Sequence, residues 1–96
     1  METKIQVKVT EDDIRGGKRE DAKGCPIALA LGRVFPGREI VVFSYEAWVC
    51  HEVNGELLRK IPLKFDAVKF VMDFDAGYEV HPFEFPIEFD GPAQAS

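Results

Sequence analysis

The chain is poor in the features that mark membrane proteins and disulfide-stabilised proteins. It has two cysteines in 96 residues, and nowhere does it have the run of about 18 apolar residues that could cross a bilayer. Its amino terminus has no apolar segment behind a basic start, so neither a signal peptide nor a membrane span is expected. Without a secretory signal, Cys25 and Cys50 are expected to be reduced thiols of a cytoplasmic protein.

Positive charge is also scarce. The chain has 12 Lys and Arg against 17 Asp and Glu, a net charge of −5, which disfavours general nucleic-acid binding because such affinity depends on neutralising phosphates. Through Lys64 there are 11 basic and 10 acidic residues, whereas from Phe65 onward Lys69 alone stands against 7 acidic residues, a net charge of −6. The carboxyl-terminal part is therefore either a solvated face or an acidic surface for a basic partner.

The first half of the chain predicts a strand, a helical turn and a helix. Residues 4–10 alternate polar and apolar side chains, which is typical of a half-buried strand. Thr10 with a carboxylate at Asp13 indicates a capped helical turn that ends at the glycine pair after it. Pro26 suits the first position of a helix over 26–35, whose core face would be Ile27, Ala30, Leu31 and Val34.

The second half predicts strands around one further helix. The β-branched and aromatic run 40–53 predicts either one bent strand or two strands that break near 44–46. Asn54-Gly55 favours a type I′ turn with a returning strand over 56–61. Asp66 is expected to cap a helix over 67–75 that ends before Gly77.

The last predicted strand, 83–89, alternates strictly. One face would carry Phe83, Phe85, Ile87 and Phe89. Pro82 and Pro86 confine this strand to a sheet edge or to an extended segment over the core.

The order strand, helix, strand, strand, helix, strand is the split βαβ pattern. We therefore expect one α+β domain over 1–90, with a mixed or antiparallel sheet of four or five strands and two helices on one face in ferredoxin-like order. The small, polar tail 91–96 is expected to be disordered.

A glycine-rich basic loop, 15–24, leads into the start of the central predicted helix. The unpaired N–H groups and the dipole of a helix start favour an anion, so the glycine N–H groups of this loop could cradle a phosphate while its basic side chains add charge. A solvated loop is the alternative. The predicted ligand-binding residues are Arg15, Gly16, Gly17, Lys18, Arg19, Lys23, Gly24, Cys25 and Trp48.

Two of these residues have alternative interpretations. Cys25, beside a helix start, is either a reactive thiol of lowered pKa or a buried, inert thiol. Trp48 is either exposed for stacking on a base or a partner, or packed in the core, depending on which face of 40–53 points inward.

Catalytic and metal chemistry have little support in the sequence. Cys25, Cys50, His51 and His81 lack the paired spacings of zinc sites, so no metal or cofactor is expected. No Gly-x-Ser-x-Gly motif occurs, and no carboxylate pair stands out as an acid and a base. We expect no enzyme, and a small nucleotide-processing enzyme is kept as an alternative.

Three segments resemble small uncharacterised proteins encoded by bacteriophages and prophages. They are 9–17, 25–31, and 74–77 together with 82–85. The resemblance implies no activity. It implies a setting, namely a small accessory protein in the cytoplasm of an infected bacterial cell, where counter-defence and host takeover are common tasks.

The basic loop and this resemblance predict a non-enzymatic protein that binds and sequesters a small anionic, nucleotide-like signalling ligand. The alternative is an inhibitor that binds a host protein through its acidic carboxyl-terminal half, by nucleic-acid mimicry. We also expect a homodimer, because so small a domain has limited room for a cavity and the aromatic strand 83–89 could lie across a second copy.

Overall fold

The computed structural model describes residues 2–90 and has the α+β composition that the sequence predicts. Its elements are β1 (Glu2–Val9), α1 (Glu11–Gly16), α2 (Pro26–Val34), β2 (Glu39–Val42), β3 (Glu46–Cys50), β4 (Leu57–Pro62), α3 (Phe65–Ala76) and β5 (Phe83–Asp90). The tail that was predicted to be disordered, 91–96, lies outside the described residues.

The strands form two antiparallel sheets instead of one. β1 pairs with β5, and β3 lies between β2 and β4. Pro86, at the middle of β5, has no N–H to donate, so β5 cannot form an unbroken ladder on both of its sides. Side chains join β5 to the β4 side instead: Arg59 donates to the Asp90 carbonyl oxygen, and Lys64 donates to Glu88. A single sheet in ferredoxin-like order is therefore not confirmed.

The core lies between α2, α3 and the inner faces of both sheets. Ile27 and Leu31 on α2, and Phe85 and Ile87 on β5, are fully buried. The predicted apolar face of the last strand is confirmed, and it packs on the core of its own chain. Phe83, for example, stacks on Phe70 with ring centroids 4.8 Å apart.

The run 40–53 forms two strands, β2 and β3, with the break at 43–45. The type I′ turn predicted after it is wrong. That turn requires a positive φ at both central residues, and only Gly55 has one, at 72°. The chain instead makes a longer loop over 51–56, closed by hydrogen bonds from the His51 N–H to the Glu56 oxygen and from the Gly55 N–H to the His51 oxygen. The returning strand accordingly begins at Leu57.

The last helix begins two residues earlier than predicted. Its N-cap is Lys64, which makes no side-chain cap, so the capping role predicted for Asp66 is wrong. The Asp66 carboxylate lies in the first turn, where the helix dipole favours negative charge. Gly77 ends the helix as predicted, in the left-handed conformation with φ 86°.

An ion pair between a buried carboxylate and a half-exposed guanidinium joins α1 to α2. Thr10 and Asp13 form the predicted capping box, and the Asp13 carboxylate also accepts two hydrogen bonds of 2.6 Å from Arg33. The same guanidinium donates to the Lys8 carbonyl oxygen at the end of β1, at 2.9 Å. Burial alone would raise the pKa of Asp13, but Arg33 and the Thr10 N–H outweigh it and hold that pKa below its ordinary value.

Gly17 is expected to tolerate no side chain. A Cβ there would lie 2.6 Å from two ring carbons of Pro26 and 2.9 Å from the Asp13 carbonyl oxygen. Gly17→Ala should lower the free energy of unfolding by about 1–3 kcal/mol, because the loop or the start of α2 must move. Gly32→Ala is the matched control, since an added Cβ has no neighbour within 4 Å. Alanine also favours a helix over glycine by about 1 kcal/mol, so that variant should gain stability. Equal losses in denaturant titrations of the two variants would contradict the close contact.

Candidate functional site

Three N–H groups of the basic loop, those of Lys18, Lys23 and Gly24, are bonded within the loop. The Asp21 carboxylate accepts hydrogen bonds from the backbone N–H groups of Lys23 and Gly24, each at 3.0 Å. The Asp21 carbonyl oxygen accepts the N–H of Cys25 at 3.0 Å, and the Lys18 N–H donates to the Gly24 oxygen at 2.8 Å. A carboxylate of the chain itself thus accepts from the Gly24 N–H, one of the glycine N–H groups of the loop that the sequence suggested for an external anion.

The basic side chains of the loop are divided among separate partners. Arg15 pairs with Asp12, one turn back on α1, and the Lys23 Nζ lies 2.9 Å from the Glu39 carboxylate. The Arg19 guanidinium lies against Gly77 at the end of α3, where the helix dipole favours positive charge. These three cations consequently do not converge on one point.

Three further predicted site residues, Gly16, Gly17 and Cys25, pack against neighbouring parts of the fold. Gly16 and Gly17 lie where α1 approaches α2, next to Leu29 and Pro26. Cys25 is buried, and its burial raises the pKa of the thiol despite the opposing effect of the Ala28 and Ile27 N–H groups. Of its two interpretations, the structure favours the inert thiol.

Trp48 is half-buried on β3, between its two predicted states. Its indole N–H donates to the Glu46 carboxylate, and its ring meets Phe43 edge-on with centroids 4.8 Å apart. The Lys60 Nζ lies 5.4 Å from the ring centroid.

Of the nine residues predicted to bind a ligand, Cys25 alone lines the cleft described next. The anion site itself stays a prediction.

A cleft of about 540 Å³ lies between three segments that are far apart in the sequence. Its lining comes from the loop, from the β2–β3 turn and from α3: Glu20, Asp21, Ala22, Cys25, Val42, Phe43, Ser44, Tyr45, Glu46, Val71 and Asp75. This volume falls within the range of ligand sites in proteins, roughly 300–1,000 Å³.

Hydrogen bonds join the segments that line the cleft. The Val42 N–H donates to the Ala22 oxygen at 2.7 Å, and the Glu20 N–H donates to the Asp75 carboxylate at 2.9 Å. The latter bond helps to hold Glu20 at φ 55°, in the left-handed region that residues other than glycine seldom adopt. On the far wall, the Leu63 N–H donates to the Tyr45 oxygen at 2.9 Å and fixes the β2–β3 turn.

The rim of the cleft is acidic and its floor is apolar. Four carboxylates line it, from Glu20, Asp21, Glu46 and Asp75, and no lysine, arginine or histidine is among the lining residues. The floor is made of Ala22, Cys25, Val42 and Val71, while Phe43 and Tyr45 stand at the edge with 41% and 76% of their surface exposed. Carboxylates beside exposed aromatic rings are the surroundings that stabilise a cation.

The sequence analysis missed this cleft. The turn 43–46 lies inside a segment that reads as continuous β structure, and the only local signal was its expected break. The acidic surface predicted for the carboxyl-terminal half is, by contrast, partly neutralised. Glu88 pairs with Lys64 and Lys4, which lower its pKa, and Asp73 pairs with Lys69.

Neither a metal cluster nor a membrane helix is found in the part of the chain that the structure describes. Within residues 2–90 no three His, Cys, Asp or Glu side chains are close enough to hold a metal ion. None of the helices there is long and apolar enough to span a membrane.

Comparison of the chain with protein-family models, with curated proteins and with solved structures found no match.

Proposed function

We propose that this is a non-enzymatic binding protein that holds a cationic group of its target in the acidic cleft between the loop, the β2–β3 turn and α3. The observation that carries the proposal is the combination of four carboxylates, two exposed aromatic side chains and an apolar floor around one cavity of about 540 Å³. A ligand that carries a positive charge on an otherwise apolar group would place its charge beside the carboxylates and its apolar atoms against the apolar and aromatic side chains.

The lining favours binding over catalysis. Its single hydroxyl nucleophile of the serine type, Ser44, has no histidine or lysine beside it in the lining to act as a base. The Cys25 thiol is buried with a raised pKa, so its nucleophilic thiolate form is suppressed.

The proposal is closer to the second hypothesis from the sequence, an acidic surface that binds a basic host protein, than to the first. The acidic surface is differently placed, because Glu20, Asp21 and Glu46 precede the acidic carboxyl-terminal half. The resemblance to bacteriophage proteins supports an accessory role in an infected cell. Sequestration of an anionic, nucleotide-like ligand at the basic loop remains the competing proposal.

Calorimetric titration can decide between the two. An oligo-arginine peptide and a panel of cyclic and linear nucleotides would be titrated into the protein at low ionic strength. We expect the peptide to bind and the nucleotides to give no heat. The double variant Glu46→Gln, Asp75→Asn should weaken peptide binding roughly ten-fold, since each exposed charge contact contributes up to about 1 kcal/mol. Both amides keep the acceptor oxygens that Trp48 and Glu20 use.

The matched control is Glu79→Gln, Glu84→Gln, which removes the same charge from exposed positions outside the cleft lining. If both double variants weaken peptide binding equally, net charge explains the affinity and the cleft does not. Tight nucleotide binding that is lost on reversing Lys18 and Arg19 would establish the anionic ligand instead.

A further inference from the structure

We propose that the open edge of β1 is a dimerisation surface, on which β1 of a second copy of this chain pairs antiparallel about a two-fold axis. The resulting sheet would have the order β5-β1-β1-β5 across the two copies. This surface is separate from the cleft, and the proposal does not depend on what the cleft binds.

The direction of the backbone groups along β1 follows from its partner. Gln6 stands opposite Pro86, and proline has no N–H. In an antiparallel ladder, opposite residues either exchange two hydrogen bonds or none, and a proline fits only a pair that exchanges none. The N–H and C=O of Gln6 therefore point away from β5. By alternation, those of Glu2, Lys4 and Lys8 do so too.

Two contacts elsewhere agree with this assignment. The Lys8 carbonyl oxygen accepts from Arg33, a residue outside the sheet, so it faces the open edge. On β5, the Asp90 carbonyl oxygen accepts from Arg59 of β4, as expected if Asp90, opposite Glu2, also points away from the ladder. The open edge of β1 thus offers the backbone groups of Glu2, Lys4 and Gln6 for pairing, while Arg33 occupies one of the two lone pairs of the Lys8 oxygen.

Charge and the length of the overlap together select one register among those in which these outward-facing residues meet. With Gln6 on the two-fold axis, Lys4 would stand opposite Lys8 of the second copy, and with Lys4 on the axis, two lysines would meet. With Ile5 on the axis, Glu2 stands opposite Lys8 twice and Lys4 stands opposite Gln6. The register with Thr3 on the axis also pairs opposite charges, Glu2 with Lys4, but it overlaps fewer residues of the two strands. Opposite charges stabilise a sheet where like charges destabilise it.

The same register covers apolar surface. Ile5 is only half-buried within one chain, and on the axis it would lie against Ile5 of the second copy. Pairing would also extend a two-stranded sheet to four strands and cover the unpaired backbone groups along the edge of β1. The aromatic face of β5, by contrast, is already buried within its own chain and does not provide this contact.

A charge-exchange cycle tests the pairing on the full chain. Within residues 2–90 no salt bridge involves Glu2 or Lys8, but Lys8 stands opposite Glu84 of β5. Lys8→Glu therefore also sets two like charges side by side within one chain, and its own stability must be measured beside its dissociation constant. Sedimentation equilibrium at high micromolar protein and low salt should give twice the chain mass of 10.8 kDa for the original sequence. Glu2→Lys and Lys8→Glu should each raise the dimer dissociation constant roughly ten-fold, because each places two like-charge pairs at the interface. The double variant should restore it.

The outcomes separate clearly. A chain that sediments as a monomer at every concentration overturns the proposal. A dimer that neither reversal weakens, or one that the double exchange fails to restore, uses another surface and overturns it as well. Circular dichroism of each variant confirms that the fold is intact in every arm of the cycle.

Discussion

Replacing Arg33 with methionine should lower the free energy of unfolding by about 2–4 kcal/mol at neutral pH. Asp13 is only 4% exposed, and the variant removes its cation. Removing one partner of a buried pair usually costs several kcal/mol. The expected loss is smaller than for a fully buried pair, because the Arg33 side chain is 52% exposed and solvent screens part of the attraction. Denaturant titration measures the loss.

The pH dependence of this loss has a definite sign. The pKa of Asp13 is below its ordinary value in the folded protein, so the pair stabilises the fold above that ordinary value and loses its effect as pH falls through the folded pKa. In Arg33→Met, burial without the cation should raise the pKa of Asp13 instead. The stability difference between the two proteins should therefore be largest near neutral pH and shrink below about pH 4.

Arg15→Met is the matched control for Arg33→Met. Arg15 pairs with Asp12 on the same helix, and both side chains are exposed. Such surface pairs contribute less than about 1 kcal/mol. If Arg15→Met lowers the free energy of unfolding as much as Arg33→Met does, the Asp13–Arg33 ion pair between α1 and α2 has no larger effect on stability than an exposed pair, and the account is contradicted.

Truncating Phe85 to alanine should have a still larger effect, a loss of about 3–5 kcal/mol, because the side chain is fully buried at the centre of β5 and leaves a cavity. Phe65→Ala is the control with the same chemical change, at a position that is 76% exposed. It should shift stability by no more than about 0.5 kcal/mol. Comparable losses at the two positions would mean that the inward face of β5 is wrongly assigned.

Features set by neighbouring residues were predictable from the sequence. The alternation in 83–89, the pairing of Thr10 with Asp13 and the left-handed Gly77 each depend on a few adjacent positions, and the structure has all three. The division into two sheets was not predicted, although Pro86 had already placed its strand at an edge or over the core.

Features that join distant segments were not predictable. Asp13 and Arg33 are 20 residues apart, and nothing in either neighbourhood indicates their bond. The loop 15–24 has the composition of an anion site, but composition does not show that the Asp21 carboxylate accepts the loop's own N–H groups. The cleft combines Glu20, Glu46 and Asp75, which only the fold brings together.

Chemical-shift mapping tests the central claim, cation binding in the cleft, most directly. The amide resonances of the protein would be followed by two-dimensional NMR while the oligo-arginine peptide is added. The account predicts that the largest shifts fall on 20–22, 43–46 and 71–75, and that Glu46→Gln, Asp75→Asn reduces them. Shifts centred on the basic segment 15–19 on addition of a nucleotide, with no response of the cleft to the peptide, would contradict it.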